Sequence, residues 1–111
     1  MQEGAAPAAF SVVRTDDVVV LGGEIDIAAA DTLRTELAQL TDGPRVVAVD
    51  LRSVSFIDSS GIEALCAARR DARAVGGSVV LRSPSPTVAR LLEVTGLHDL
   101  FPVEYAPADD R

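Results

Sequence analysis

The heptapeptide RVVAVDL, residues 45–51, is the feature that most restricts how this chain can fold. Its valines, alanine and leucine fall on both alternating faces of what its length allows only as a strand. A strand that is apolar on both faces has to be covered on both, which is the situation of a parallel sheet flanked by helices. Parallel neighbours need crossover connections of a dozen or more residues, usually helical. The remainder of the 111 residues has to supply them.

Upstream, FSVVRTDDVVVL places two β-rich runs around TDD, with Arg14 near the turn, and predicts an antiparallel hairpin. GGEID then leads into IAAADTLRTELAQL, where Leu33, Leu37 and Leu40 recur at i, i+4 and i+7 and predict a helix over about residues 28–40. DGP ends that helix before RVVAVDL. A second helix is predicted over 61–75, with Ile62, Leu65, Cys66 and Ala72 on the apolar side and the charges of RRDAR left to solvent. Gly76 and Gly77 supply its stop. SVVLR reads as the next strand. Ser85 before Pro86 reads as the N-cap of a third helix whose buried stripe is Val88, Leu91 and Leu92, with Gly96 past its last turn. LFPVEY closes the pattern as a short strand.

The order β-β-α-β-α-β-α-β predicts an α/β fold: one domain over 9–105, a mixed sheet with an N-terminal antiparallel strand pair and helices packed against the sheet. Residues 1–8 are expected to be a loose lead-in and 106–111 a tail. No repeat or interior linker is present.

Ten arginines, no lysine and seventeen acidic residues give a formal charge of −7. That balance disfavours nucleic acid and anionic membrane as partners and favours another protein surface. Cys66 stands alone, so neither an internal disulfide nor a multi-cysteine metal site is available. No apolar run approaches the roughly 20 residues of a membrane span, and MQEGAAPAAF lacks the basic flank and long apolar core of a signal peptide. A cytoplasmic protein is expected.

The segment SFIDSSGIEAL, residues 55–65, sets two hydroxyls between a carboxylate and a glycine where a hydrophobic strand gives way to a helix. Ser60 and Glu63 fit the S-x-x-E capping box, which would engage the Ser60 hydroxyl with a free backbone N–H. Ser59 would then lie one residue outside the helix. Its hydroxyl would be uncommitted, at the positive end of the helix dipole and at the carboxyl edge of the sheet, where open α/β folds carry their functional groups. A phosphate there would add about −1.5 to −2 charges at neutral pH without unfolding the helix.

These residues carry a resemblance. FIDSSG following VVAVDLRSV resembles the phosphorylation-site motif of the STAS domain family, the anti-sigma factor antagonists. GEIDIA, GGSVVL and SPTVARLLEVTGL resemble further family segments, in order and with the family's spacing, from about Phe10 to Val103. The resemblance implies that Ser59 is the phosphorylated serine. It implies a partner-switching cycle: the unphosphorylated chain binds an anti-sigma factor that is itself a serine kinase and thereby frees the sigma factor. Phosphorylation of Ser59 ends the contact, and a metal-dependent serine phosphatase restores it. ATP and Mg belong to the kinase, so no cofactor is implied for this chain, which is expected as a monomer or weak dimer. Glu24, Asp26, Asp58, Ser59, Ser60 and Gly61 are the expected partner-binding residues, with Glu24 and Asp26 on a loop at the Ser59 edge and Asp26 serving docking rather than folding. Many family members continue into a further helix where this chain has only APADDR after Tyr105.

Other readings of the same residues have specific requirements. A serine hydrolase would need G-x-S-x-G, yet Ile57 and Asp58 stand two residues before Ser59 and Ser60. The lone histidine, His98, follows Gly96 and is expected in an exposed loop, with no orienting acid to make a triad. No phosphate-binding glycine pattern is present. A scaffold or nucleotide-binding module of the same fold, never phosphorylated, remains the alternative to the switch. Cys66 is expected in the core, and Arg52 is a weak candidate for binding phosphate or a partner's acid.

Overall fold

In the computed structural model, which describes residues 9–105, the chain first turns back on itself at Asp16 and Asp17. Asp16 takes a left-handed backbone (φ 54°), a conformation aspartate tolerates better than branched residues do. The turn joins β1 (Ser11–Thr15) to β2 (Val18–Ile25) in antiparallel register, Thr15 opposite Val18 and Ser11 opposite Gly22. The expected lead-in, 1–8, and the expected tail, 106–111, lie outside the described residues, as does whatever follows Tyr105.

From β2 onward the elements alternate: α1 (Ile27–Ala38), β3 (Val46–Ile57), α2 (Ser59–Ala74), β4 (Ser78–Arg82), α3 (Pro86–Thr95), a 3-10 turn (Leu97–Asp99) and β5 (Val103–Glu104). The sheet order is β1-β2-β3-β4-β5, and every pair after the first is parallel. The expected mixed α/β sheet is therefore present, with helix boundaries displaced by one or two residues from the periodicity. Each crossover steps to the next strand in the same direction, so right-handed connections bring the helices to one face. Val19, Leu21, Val47, Val49, Leu51, Val79 and Leu81 meet Leu33, Leu37, Leu65, Ala68, Val88 and Leu92 there in one continuous core.

One-sided packing corrects the expectation for residues 45–51. Ala48 is buried, but Asp50 is only half-buried and Val46 is 58% exposed, because helices that share a face leave the alternate side chains of β3 without one. β3 also runs on well past Leu51. Two extra residues open as bulges, since Val20 and Gly22 face Asp50 and Ser53, and Gly23 and Glu24 face Val54 and Phe56. Asp50 Oδ1 accepts from Arg52 N (2.9 Å) at the first, and Ser55 Oγ donates to Gly23 O (3.3 Å) at the second. The bulges change the inward spacing from two residues to three, so Leu51, Val54 and Ile57 all reach the core.

The helix ends follow local chemistry. Gly76, left-handed at φ 84°, donates to Arg73 O (3.2 Å) while Gly77 donates to Ala72 O (2.7 Å), a Schellman closure of α2. Ser85 caps α3 as expected, accepting from Val88 N (3.4 Å), and its hydroxyl also donates to Val54 O (2.6 Å), which ties α3 to β3. RRDAR is not wholly solvated: Arg69 Nε donates to Leu100 O (2.7 Å) and holds the 3-10 turn against α2. His98 lies in that turn, about half exposed, with Nδ1 3.3 Å from Leu92 O. Cys66 is half-buried and packs against the core.

Candidate functional site

The neighbouring parallel strands β2 and β3 end alike, in Ile25-Asp26 and Ile57-Asp58. Ile25 pairs with Ile57, and Asp58 N donates to Ile25 O (3.1 Å), so the two aspartates emerge side by side at the carboxyl edge of the sheet. Each keeps an extended backbone and caps the helix that follows. Asp26 Oδ1 accepts from Ala28 N (3.1 Å) and Ala29 N (3.2 Å); Asp58 Oδ1 accepts from Ser60 N (2.9 Å) and Gly61 N (3.3 Å). Both satisfy N–H groups that the first turn of a helix leaves free.

This arrangement overturns the expected capping box. Ser60 lies inside α2, Glu63 is exposed, and the cap is Asp58. The reason is the strand: its extended backbone runs as far as Asp58, which is the geometry an N-cap requires, and an ionised carboxylate is a stronger acceptor than a hydroxyl. Ser59 is accordingly the first residue of α2 and not a residue outside it. Its side chain is exposed, and its hydroxyl has no hydrogen bond among the described residues. Asp58→Ala is expected to lower stability by about 0.5–2 kcal/mol, read as a shift in the urea midpoint, whereas Ser60→Ala should leave the midpoint nearly unchanged.

Asp26 is likewise no loop carboxylate, because it holds the first turn of α1. Asparagine caps as well as aspartate, so Asp26→Asn should melt close to wild type, while Asp26→Ala should lose about 0.5–2 kcal/mol; equal melting of the two variants would show that the cap contributes nothing. Glu24 sits within β2, half-buried, in register with Phe56, and not on a loop as expected. Gly61 is buried: a Cβ there would lie 2.6 Å from Ile57 Cγ1 and 2.8 Å from Ile25 Cγ2. It serves the edge by letting α2 descend onto the two strand ends, and it offers no surface to a partner. Arg52 lies earlier on β3, where its Nη2 donates to Ser83 Oγ (3.3 Å), away from Ser59.

The edge therefore gathers Glu24, Asp26, Asp58, Ser59 and Ser60; neither serine hydroxyl has a hydrogen bond among the described residues, and Ser59 is the more exposed of the two. Sequence periodicity missed its apolar part. Ile27 opens α1 as Ser59 opens α2 and is 75% exposed, and Phe56, two residues before Asp58, is 46% exposed. The sequence carried no signal for it, since the bulges that turn Phe56 outward are set by pairing with β2. Among the described residues no cluster of three or more His, Cys, Asp or Glu is arranged to hold a metal ion, and no helix is long and apolar enough to cross a membrane.

The STAS domain profile matches residues 9–109. The chain is 32% identical over 88 residues to the anti-sigma-B factor antagonist of Bacillus subtilis strain 168, covering 79% of this chain and 81% of that one. Among solved structures it resembles the anti-sigma factor antagonist SpoIIAA in its unphosphorylated form, with a TM-score of 0.70, 27% identity and 90% of each chain covered. It also resembles the Bacillus cell fate determinant SpoIIAA in its phosphorylated form, with a TM-score of 0.65, 26% identity, and 90% of this chain and 93% of that one covered.

Proposed function

The chain belongs to the STAS domain family, and from that membership we propose that it is an anti-sigma factor antagonist whose partner contact is switched off by phosphorylation of Ser59. The family is one of non-enzymatic regulators. The observation that carries the reading is the side chain of Ser59, exposed, its hydroxyl free of hydrogen bonds among the described residues, on the first residue of a sixteen-residue helix.

The unphosphorylated edge binds an anti-sigma factor that is also a serine kinase, so that the sigma factor is released. Glu24, Asp26, Asp58, Ser59 and Ser60 face the partner. The kinase supplies ATP and Mg, and a metal-dependent serine phosphatase returns the chain to its binding form. The domain at 9–105 acts in the cytoplasm as a monomer or weak dimer.

Phosphorylation has two opposed electrostatic effects. The dianion is favoured by the N-terminal dipole of α2, by about 0.3–1 kcal/mol for an exposed charge, so the helix persists. The same dianion joins Asp58, Asp26 and Glu24 on one edge, and a surface fitted to a neutral hydroxyl then meets like charge and added desolvation. Folding tolerates the modification, and binding does not.

The test is to incubate the protein with ATP and the purified anti-sigma factor kinase of its host and to locate the phosphate by mass spectrometry. Phosphate on Ser59, with loss of the complex, is the expected result. Phosphate on Ser60, or a complex that forms while the chain is never modified, would replace the switch with a different acceptor or with a scaffold.

A further inference from the structure

The helices pack on one face of the sheet, and strand register shows what lies on the other. Val13 pairs with Val20, Val18 with Ala48, and Ala48 with Val80. Paired residues share a face, and these alternate along their strands with the core residues Val19, Leu21, Val47, Val49 and Val79, so they point away from the helices. Ala48 and Val80 are buried without joining the common core, and Val13, Val20 and Val46 are exposed. An apolar strip therefore crosses four strands on the side that no helix covers. Contiguous patches of this kind mark interaction surfaces.

Charge indicates the occupant. At the amino ends of β2 and β3, Arg45 pairs with Asp17 (3.9 Å) and Asp42 (3.7 Å), and on the far side of the strip Arg82 pairs with Glu104 (3.5 Å). The acids of the Ser59 edge, Glu24, Asp26 and Asp58, have no such arginine among the described residues. In a chain of net charge −7, a second copy is repelled at that edge and meets a largely neutralised rim at the valine face. Asp50 is the exception on this face. It is half-buried and has no ion pair among the described residues, although Arg82 lies beside it in register. Its Oδ1 takes Arg52 N (2.9 Å), and Arg82 turns to Glu104. A two-fold axis running along the strands between β3 and β4 sets Asp50 of each copy over Arg82 of the other, and Ala48 over Val80. The face is thus self-complementary, as a two-fold interface requires.

We propose that the sheet face opposite the helices binds a second copy of this chain, the two sheets stacking about 10 Å apart with Asp50 and Arg82 paired reciprocally across the axis. Five strands about 4.8 Å apart and about five residues long offer roughly 400 Å² per copy, half of the roughly 800 Å² per partner in a standard interface. The dimer is therefore weak and reversible. Because the axis runs along the strands, both Ser59 edges lie at the same end of the pair and outside the interface. The pair presents the switch twice, and a partner that is itself dimeric gains avidity from it.

Sedimentation equilibrium of the full chain tests this, with a reversible dimer of Kd above about 10 µM expected for so small an interface. Asp50→Arg sets arginine against arginine across the axis, and Arg82→Glu sets acid against acid, so each alone should raise the dimer Kd at least about 10-fold. Mixed in equal amounts, the two variants should form a heterodimer with Kd within about 3-fold of wild type, because every cross-axis contact again joins opposite charges. Val20→Ser/Val46→Ser should weaken the dimer, and Ser59→Asp, at the edge and off this face, should dimerise as wild type does. Circular dichroism and urea midpoints monitor the fold of every variant. Single variants that dimerise like wild type, or folded variants whose mixture stays monomeric, overturn the proposal. So does a wild-type chain still monomeric at about 1 mM; if deleting residues 1–8 or 106–111 then makes it dimerise, a segment of this chain is the occupant.

Discussion

Ser59→Asp is expected to weaken the complex with the anti-sigma factor about 100-fold, equivalent to roughly 2.8 kcal/mol at 1.4 kcal/mol per decade, while the fold is retained. An aspartate at the first position of α2 sits at the positive end of the helix, where a carboxylate is favourable by about 0.3–1 kcal/mol. Its urea midpoint should match or slightly exceed that of wild type. At the interface the same charge is unfavourable, because like-charge juxtaposition across a desolvated contact costs several kcal/mol. Asp58 lies next to it in sequence, and Asp26 emerges from the adjoining strand. Ser59→Ala should separate the two effects. Removing a hydroxyl that has no partner among the described residues leaves stability and binding near wild type and abolishes phosphorylation, giving a permanently binding form. Calorimetric titration of the three proteins against the kinase measures the difference. If aspartate and alanine at this position bound alike, charge at Ser59 would not be the signal.

Gly61→Val is expected to lower stability by about 1–3 kcal/mol and to slow phosphorylation of Ser59 as well. The added side chain would begin at a point already 2.6 Å from Ile57 Cγ1 and 2.8 Å from Ile25 Cγ2, both of them core residues. Because interiors are close-packed, neither isoleucine can withdraw without disturbing its neighbours. The strain is relieved by lifting the first turn of α2, which carries Ser59 away from Asp26 and weakens the Asp58 cap. Gly61→Ala should show a smaller loss, since alanine's helix propensity returns up to about 1 kcal/mol. Urea midpoints and initial rates of phosphate incorporation provide the two readouts. A Gly61→Val protein of wild-type stability would mean that α2 does not rest on the strand ends.

Both predictions depend on Asp58, the residue whose role changed most between sequence and structure. Asp, Ser and Ser in succession are all competent N-caps, and the S-x-x-E spacing favoured Ser60. The choice was made by the backbone. β3 remains extended through Ile57 because it is paired with β2, and the carboxylate at the end of that pairing caps the helix. The same pairing placed Asp26 and Glu24 beside Ser59, yet it gave Asp26 the work of a cap and set Glu24 within a strand. The exposed Phe56 and Val94 were unreadable as neighbours for a related reason: they are distant in sequence, and only the packing of α3 against β3 brings them to one groove.

Local signals determined a good deal unaided. Pattern and punctuation specified the hairpin, the three helices with their stops at Gly76 and Gly96, the cap at Ser85 and the mixed sheet, because each depends on spacing and turn chemistry within a few residues. The hydroxyl of interest was legible too, as the serine at a strand-to-helix junction inside a family motif. Tertiary structure alone decided which face of the sheet is covered, where β3 bulges, and which of three capping residues caps. Each of these is settled by hydrogen bonds and packing between segments far apart in the chain, and a local pattern has no access to them: β2 sets the register of β3, α1 and α2 occupy one side of the sheet, and Ile25 with Ile57 admits only a glycine at position 61.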